Sequence, residues 1–412
     1  MDLINLNSFL KFGYFLDYEN PNIKFDFSGI EKEKYKNIPG EELIGIGIKL
    51  WKNAIQEQFK TNKKHVVPLS GGLDSRAILA GLLEFTEAKN IYTYTFGSPD
   101  TYDYIIGNLV ATKIGTNHSS FPLNQYIFTL QKEIKVSKRI DHQTFLFHHP
   151  PLEELDNKFA NMIIWSGYII DWVAGSHLPK QSCLNISDAV NYIHKKDTFV
   201  KSVELTNIKS VHLKHLFSTS FISPSILSYE EQIEASYHLK KYTAPHLLYK
   251  GFNYVLPVMN RDFFSFFLSL HQRYRKGCNL YKKMLLSNYQ ELFSLPTKTN
   301  LGLPLNASKI EINFNKIVNK GKKVTNKFYP IFTERNANYL DFNNGIRERE
   351  DLKKVIYESV MDLKKRKIVD WIDIDNIWDE HIKRKVNHAD ALLVLASLEI
   401  HLKAGKIFES IQ

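Results

Sequence analysis

The feature that most constrains this chain is a pair of adjacent glycines between an apolar run and a helical pattern, HVVPLSGGLDSRAILAGLLE, residues 65–84. Val66, Val67 and Leu69 read as a short buried strand ended by a turn. From Asp74 onward, Ile78, Leu79, Leu82 and Leu83 recur at helical spacing, and Ala77 and Ala80 favour helix. The residues between form a tight strand-to-helix turn. Gly71 and Gly72 have no side chain to hold a ligand off the backbone. The helix that follows presents unsatisfied N–H groups and the positive end of its dipole, which suits phosphate. Asp74 adds a carboxylate fit for a hard cation such as Mg²⁺ that bridges to phosphate oxygens, and Ser70 and Ser75 add short hydroxyls. The plainer alternative is a βα turn in which Asp74 or Ser75 caps the helix.

The string is more specific than a glycine turn. It lacks the GxxxxGK[ST] and GxGxxG patterns of the other common phosphate loops. It agrees with SGGxDS, the pyrophosphate loop of the ATP pyrophosphatase class, in every fixed position, and it resembles that class on this basis.

Composition fits an enzyme with a sizeable core. The chain has 412 residues and ordinary apolar content, enough for two domains or for one large domain with a lobe. Cys183 and Cys278 are far apart and form no CxxC pattern, so neither a disulfide framework nor a zinc site is implied. The start, MDLINLNSFLKFGYF, lacks a basic segment followed by an apolar core, and ALLVLASLEI near the end is too short to span a bilayer. A cytoplasmic protein without a membrane partner is expected. The net charge of +10 is spread over scattered lysines with no dense basic run, which argues against nucleic acid as a partner.

Along the chain, residues 42–60 form an amphipathic helical pattern leading into the first strand. IYTYTFG at 91–97 is a second strand, 102–114 is a helix stopped by Gly115, and 119–123 is a third short strand. Helical stretches occupy much of 124–160, and NMIIWSG at 161–167 is a further apolar strand ending at a glycine. Strands alternating with helices predict a parallel sheet covered on both faces, with ligands at the carboxyl ends of its strands. After about residue 185 the strand signal fades and helical periodicity takes over. The expected fold is therefore α/β: a Rossmann-like parallel sheet of the adenine-nucleotide α-hydrolase type with a mostly helical C-terminal portion. The expected division is an N-terminal extension at 1–40, an ATP-binding core at 41–185 and a helical portion at 186–412. The charged stretch 345–366 reads as an exposed helical face.

A second constellation is WSGYIIDWVAGSHLP, residues 165–179. By itself it is a strand end, a turn and a solvated aspartate. With the first loop, however, it resembles the synthetase domain of glutamine-dependent asparagine synthetases, which has SGEGADELFGG here. Ser166, Gly167, Asp171 and Gly175 agree; Trp172 replaces the second acid and Ile169 the middle glycine. The resemblance continues through TFGSPDTYDYIIGNLVATKIGTNH at 95–118, VLPVMNRDFFSFFLSL at 255–270, YKKMLLSNYQELFSLPTKTNLGLPL at 281–305 and the terminal ADALLVLASLEIHLKAG.

The resemblance implies an ATP-dependent, AMP- and pyrophosphate-forming amide synthetase. A carboxylate is adenylated, and its acyl group passes to ammonia or an amine. ATP and Mg²⁺ are then implied, with the metal on Asp74 and Asp171. Leu69, Ser70, Gly71, Gly72, Asp74, Ser75, Phe96 and Gly167 would contact the nucleotide. Lys298, at the spacing of the family's KxGFGxP segment, would neutralise charge on the phosphates or the tetrahedral oxyanion. Tyr168 stands where the family has Glu and where the β-lactam synthetase branch has Tyr. It would take the amine proton only beside a carboxylate, for which Glu204 is the nearest candidate in spacing. No glutaminase domain fits before the loop, so nitrogen is expected as ammonia, from a separate glutaminase, or as an amine on the substrate. An intramolecular cyclase of lasso-peptide or β-lactam type, with a precursor-peptide partner in the first case, remains open. So does a tRNA-modifying member of the ATP class.

Overall fold

In the computed structural model, residues 3–17, 23–140, 143–217, 226–328 and 339–405 are described. Five strands, β1 (His65–Pro68), β2 (Ile91–Gly97), β3 (Asn117–Pro122), β4 (Ile163–Trp165) and β5 (Asn253–Val255), make one sheet in the order β3-β2-β1-β4-β5. Every pairing is parallel, with His65 opposite Ile91 and Ile163, Tyr92 opposite Asn117, and Ile163 opposite Asn253.

Strand residues alternate between two cores. Val66 and Ile164 enter one apolar cluster, while Val67, Ile163 and Trp165 enter the other. The first cluster is closed by the helices Leu130–Arg139, Glu350–Arg366 and Ala389–Lys403. The second is closed by Gly40–Gln58, Asp74–Leu82, Arg261–Ser269 and Asn279–Asn288. This is the α/β architecture expected, with helices on both faces.

Most element boundaries agree with the periodicity. β2 spans 91–97, and the next helix spans Tyr102–Ile114, ending at Gly115 with φ +81°. One reading needs correction. β5 lies well beyond the point where the strand signal fades; three residues on the sheet edge give no period to detect. The 345–366 stretch carries its exposed charged face on the Glu350–Arg366 helix, opposite a buried stripe of Leu352, Val355, Ile356, Val360 and Leu363. Among the described residues, no helix is long and apolar enough to cross a membrane.

The topology fixes where a ligand can sit. From β1 the chain winds out to β3, then returns to β4 on the other side of β1. A crevice opens at such a switch point, outside the carboxyl ends of the strands. Pairing of β1 with β4 covers only His65 and Val66, and Pro68, with no N–H, cannot extend that ladder toward β4. The loops after β1 and β4 are therefore free to part and line the crevice.

Candidate functional site

The loop after β1 is held by its own hydroxyls. The Ser70 amide donates to Ser75 Oγ at 3.2 Å, the Gly72 amide donates to Ser70 Oγ at 3.2 Å, and the two hydroxyls lie 3.3 Å apart. Gly71 is needed for close approach: a Cβ there would lie 2.9 Å from the Tyr102 carbonyl oxygen and 3.2 Å from Lys298 Cβ. Thr95 Oγ1 donates to the Leu69 carbonyl at 2.8 Å and ties the loop to β2.

The two strand-end loops touch. A Cβ on Gly167 would fall 2.9 Å from Asp74 Cβ, so only glycine lets the loop after β4 lie on the helix start after β1. Asp74 and Asp171 interact as neighbours here. The Asp74 carboxyl is pushed well above the ordinary range by burial and by the Asp171 charge, against a smaller pull from Tyr281 and His177. Asp171 is also opposed by burial. It is nevertheless held below the ordinary range by His177 Nε2 at 2.9 Å, by the Trp172 amide at 2.8 Å and by Ser176.

His177 is the hub of a relay. Its Nδ1 lies 2.5 Å from Glu234 Oε1, which also accepts from Lys196 Nζ at 2.7 Å. Burial opposes the charged imidazole, but Asp171 and Glu234 together lift its pKa to about 10, so the ring is an imidazolium at neutral pH.

Lys298 arrives from the C-terminal side on a short antiparallel hairpin, β6 (Pro296–Thr297) with β7 (Leu303–Pro304). Its amide donates to the Gly71 carbonyl at 2.8 Å. Its ammonium lies 2.6 Å from Asp103 Oδ2, while the other Asp103 oxygen accepts from the Gly71 amide at 3.2 Å. The loop amide and the lysine thus converge on one anionic oxygen pair. Arg76 secures this hairpin: fully buried, it donates to the carbonyls of Leu292, Leu295 and Pro296 at 2.8–3.3 Å.

These groups open on a cavity of about 370 Å³. Leu69, Ser70, Gly72, Asp74 and Ser75 line it from the first loop, Ser166 and Gly167 from the second, and Asp103 and Lys298 from the anion corner. Phe96, stacked on Tyr339 with ring centroids 5.5 Å apart, also lines it, together with Tyr249 and His246. The structure therefore brings together Leu69, Ser70, Gly72, Asp74, Ser75, Phe96, Gly167 and Lys298, with Gly71 bonded at the edge. Asp171, whose charge acts on Asp74 and whose side chain is 46% exposed, does not line the cavity.

Tyr168 is placed elsewhere, and the expectation that it faces the cavity is corrected. Its side chain is fully buried, and its hydroxyl donates to the Leu239 carbonyl at 2.9 Å. Burial holds the phenol far above its ordinary pKa. Just past Gly167 the chain turns inward: the Tyr168 amide donates to Ser166 Oγ, and Ile169 takes left-handed angles, φ +61° and ψ 2°. Glu204 is not its partner either, since that carboxylate accepts from Lys11 Nζ at 2.6 Å and from Thr206 Oγ1 at 2.6 Å.

Sequence reasoning missed Asp103, Arg76, His177 and Glu234. Asp103 resembles any acid in a first helical turn, favourable to the dipole. Arg76 carried a usable signal, a lone cation beside the apolar run AILAGLL. Among the described residues, no group of three or more His, Cys, Asp or Glu side chains is arranged to hold a metal. Two carboxylates completed by phosphate oxygens would meet the needs of Mg²⁺ with fewer protein ligands.

Comparison with known proteins agrees with this geometry. Residues 49–134 match the family described as asparagine synthase. A Methanocaldococcus jannaschii protein named a "putative asparagine synthetase", glutamine-hydrolyzing, is 25% identical over 234 residues, covering 49% of this chain and 42% of that protein. The chain thus spans less than half the length of that relative, and the resemblance to the asparagine synthetase family is borne out.

Proposed function

We propose that this chain is an amide synthetase of the asparagine synthetase kind that spends ATP to AMP and pyrophosphate. The observation that supports it most is the convergence at one crevice of the SGGLDS loop with its Asp74, the Ser166–Gly167 turn and the Lys298–Gly71 anion corner.

In the first step an oxygen of a substrate carboxylate attacks the α-phosphorus of ATP. The bond from that phosphorus to the bridging oxygen breaks, and pyrophosphate leaves. In the second step an amine or ammonia attacks the acyl carbon, AMP leaves with the oxygen, and the nitrogen loses a proton. Lys298 and the Gly71 amide would hold the pyrophosphate oxygens where Asp103 now sits. Ser166 and Gly167 would lie along the adenylate, and Phe96 with Leu69 would flank the adenine.

Mg²⁺ fits the acidic pair. A buried carboxyl raised by its own neighbour is relieved by a divalent cation, and Asp171 Oδ1, which accepts only from the Trp172 amide, keeps a second lone pair for it. When bound, the ion would offset charge on the leaving pyrophosphate. The imidazolium of His177 holds Asp171 ionised and oriented beside Asp74.

The β-lactam type of cyclase is disfavoured because the tyrosine it would use donates its hydroxyl to Leu239 inside the core. The acid and the nitrogen donor are left general. Isotope exchange of pyrophosphate into ATP, run across a panel of amino acids, sugar acids and peptides, tests the reading. Exchange stimulated by one acid class supports it. No exchange with any acid, together with no Mg²⁺-dependent ATP binding, overturns it.

A further inference from the structure

The helix that follows the Lys298 hairpin, Lys309–Phe328, carries an apolar stripe on its outer side. Ile310, Phe314 and Ile317 are 82%, 68% and 70% exposed. Their spacing, four residues and then three, places them in one line along the helix. The helix faces the protein with Ile312, Asn315 and Asn319, which are half-buried, and Asn315 Nδ2 donates to the Leu301 carbonyl at 3.0 Å.

Exposed Lys309, Lys316 and Lys320 form a row of their own by their spacing of seven and four, about a third of a turn round the helix from the stripe, with Lys320 nearest its edge. The acid of this stretch, Glu311, is committed to the helix start: it accepts from the Ser308 amide at 2.8 Å, and its own amide donates to Ser308 Oγ at 3.2 Å.

These facts narrow the occupant. A line one residue wide with alternating spacing is a coiled-coil seam, narrower than the broad face that an interfacial membrane helix presents. A second copy would bring no free acid to answer Lys320 at the edge of the seam, since Glu311 is held at the helix start. Complementary charge points to acids beside the partner's seam. We propose that this stripe docks an acidic amphipathic helix of a partner protein beside the hairpin that holds Lys298. The inference does not depend on the reaction proposed above.

The test uses the full chain and a fluorescent synthetic peptide of three heptads, with Leu on its seam and Glu on its flanks. Anisotropy should show saturable binding that weakens with added salt. Phe314→Asp should weaken it by about tenfold or more, as should the double change Lys316→Glu with Lys320→Glu, while thermal melting stays unchanged because these side chains are exposed. A matching peptide with Lys flanks should not bind. The proposal is overturned if the Glu peptide does not bind, or if Phe314→Asp leaves its binding intact. It is also overturned if the chain prefers phosphatidylserine vesicles to the peptide, or if it self-associates in sedimentation through Phe314.

Discussion

The loops after β1 and β4 face each other across one crevice and reach their shapes by different means. The first follows its motif residue for residue, and glycine, serine and aspartate each do there what their chemistry suggests. The second departs from its motif, with Ile169 where the related pattern has glycine. Its backbone nevertheless takes the left-handed angles that glycine would adopt freely. For a β-branched residue that conformation costs about 1–2 kcal/mol. The side chain is only 2% exposed, so packing in the core holds the strained turn in place. One loop is encoded by which residues it contains, the other by what surrounds it.

If that contrast is right, disturbing the two loops should give different kinds of loss. The largest effect belongs to the first loop. Asp74→Ala should abolish AMP formation and acid-dependent pyrophosphate exchange while circular dichroism stays native, since the helix start survives a smaller side chain. Retained turnover would remove Asp74 from the site. Next is Lys298→Ala, expected to lower kcat by ~10²–10³, the usual size for losing one preorganised charge partner. Steady-state pyrophosphate release measures it, and a change in KM alone would confine Lys298 to substrate binding.

The second loop should respond in stability. Ile169→Gly and Ile170→Gly each delete a buried isoleucine, at 2% and 1% exposure. Only the first relieves a left-handed strain. Ile169→Gly should therefore be the milder change by about 1–2 kcal/mol in urea unfolding. Equal losses would mean that the turn is not strained. The smallest effect is expected from Tyr168→Phe, which deletes the bond to Leu239. Stability should fall by about 1 kcal/mol, and amide formation should not change. A selective fall in the second half-reaction would return Tyr168 to the chemistry.

What could be read from the sequence follows the same division. β1, β2, the helix after each and the SGGLDS turn are local: apolar period, glycine and cap signals lie within a dozen residues of one another. Lys298 was legible through its motif spacing. Asp103 and the His177–Glu234 pair were not, and the lone cation Arg76 gave a signal without its partners, because their meaning lies far along the chain, as when Arg76 meets Pro296 across 220 positions. Tyr168 was misplaced for a related reason. Its neighbours suggested a residue facing the crevice, but the turn at Ile169 sends the ring into the core.

The bond between Lys298 and Asp103 joins residues 195 apart. During synthesis, β1, β2 and β3 can leave the ribosome and pair long before residue 298 exists. The anion corner, by contrast, must wait for the hairpin that brings the lysine home. Closing so long a span is slow and entropically unfavourable until the intervening helices have packed. The crevice is thus among the last parts to be completed. A nascent chain arrested before the hairpin would hold a parallel sheet whose crevice still lacks its lysine.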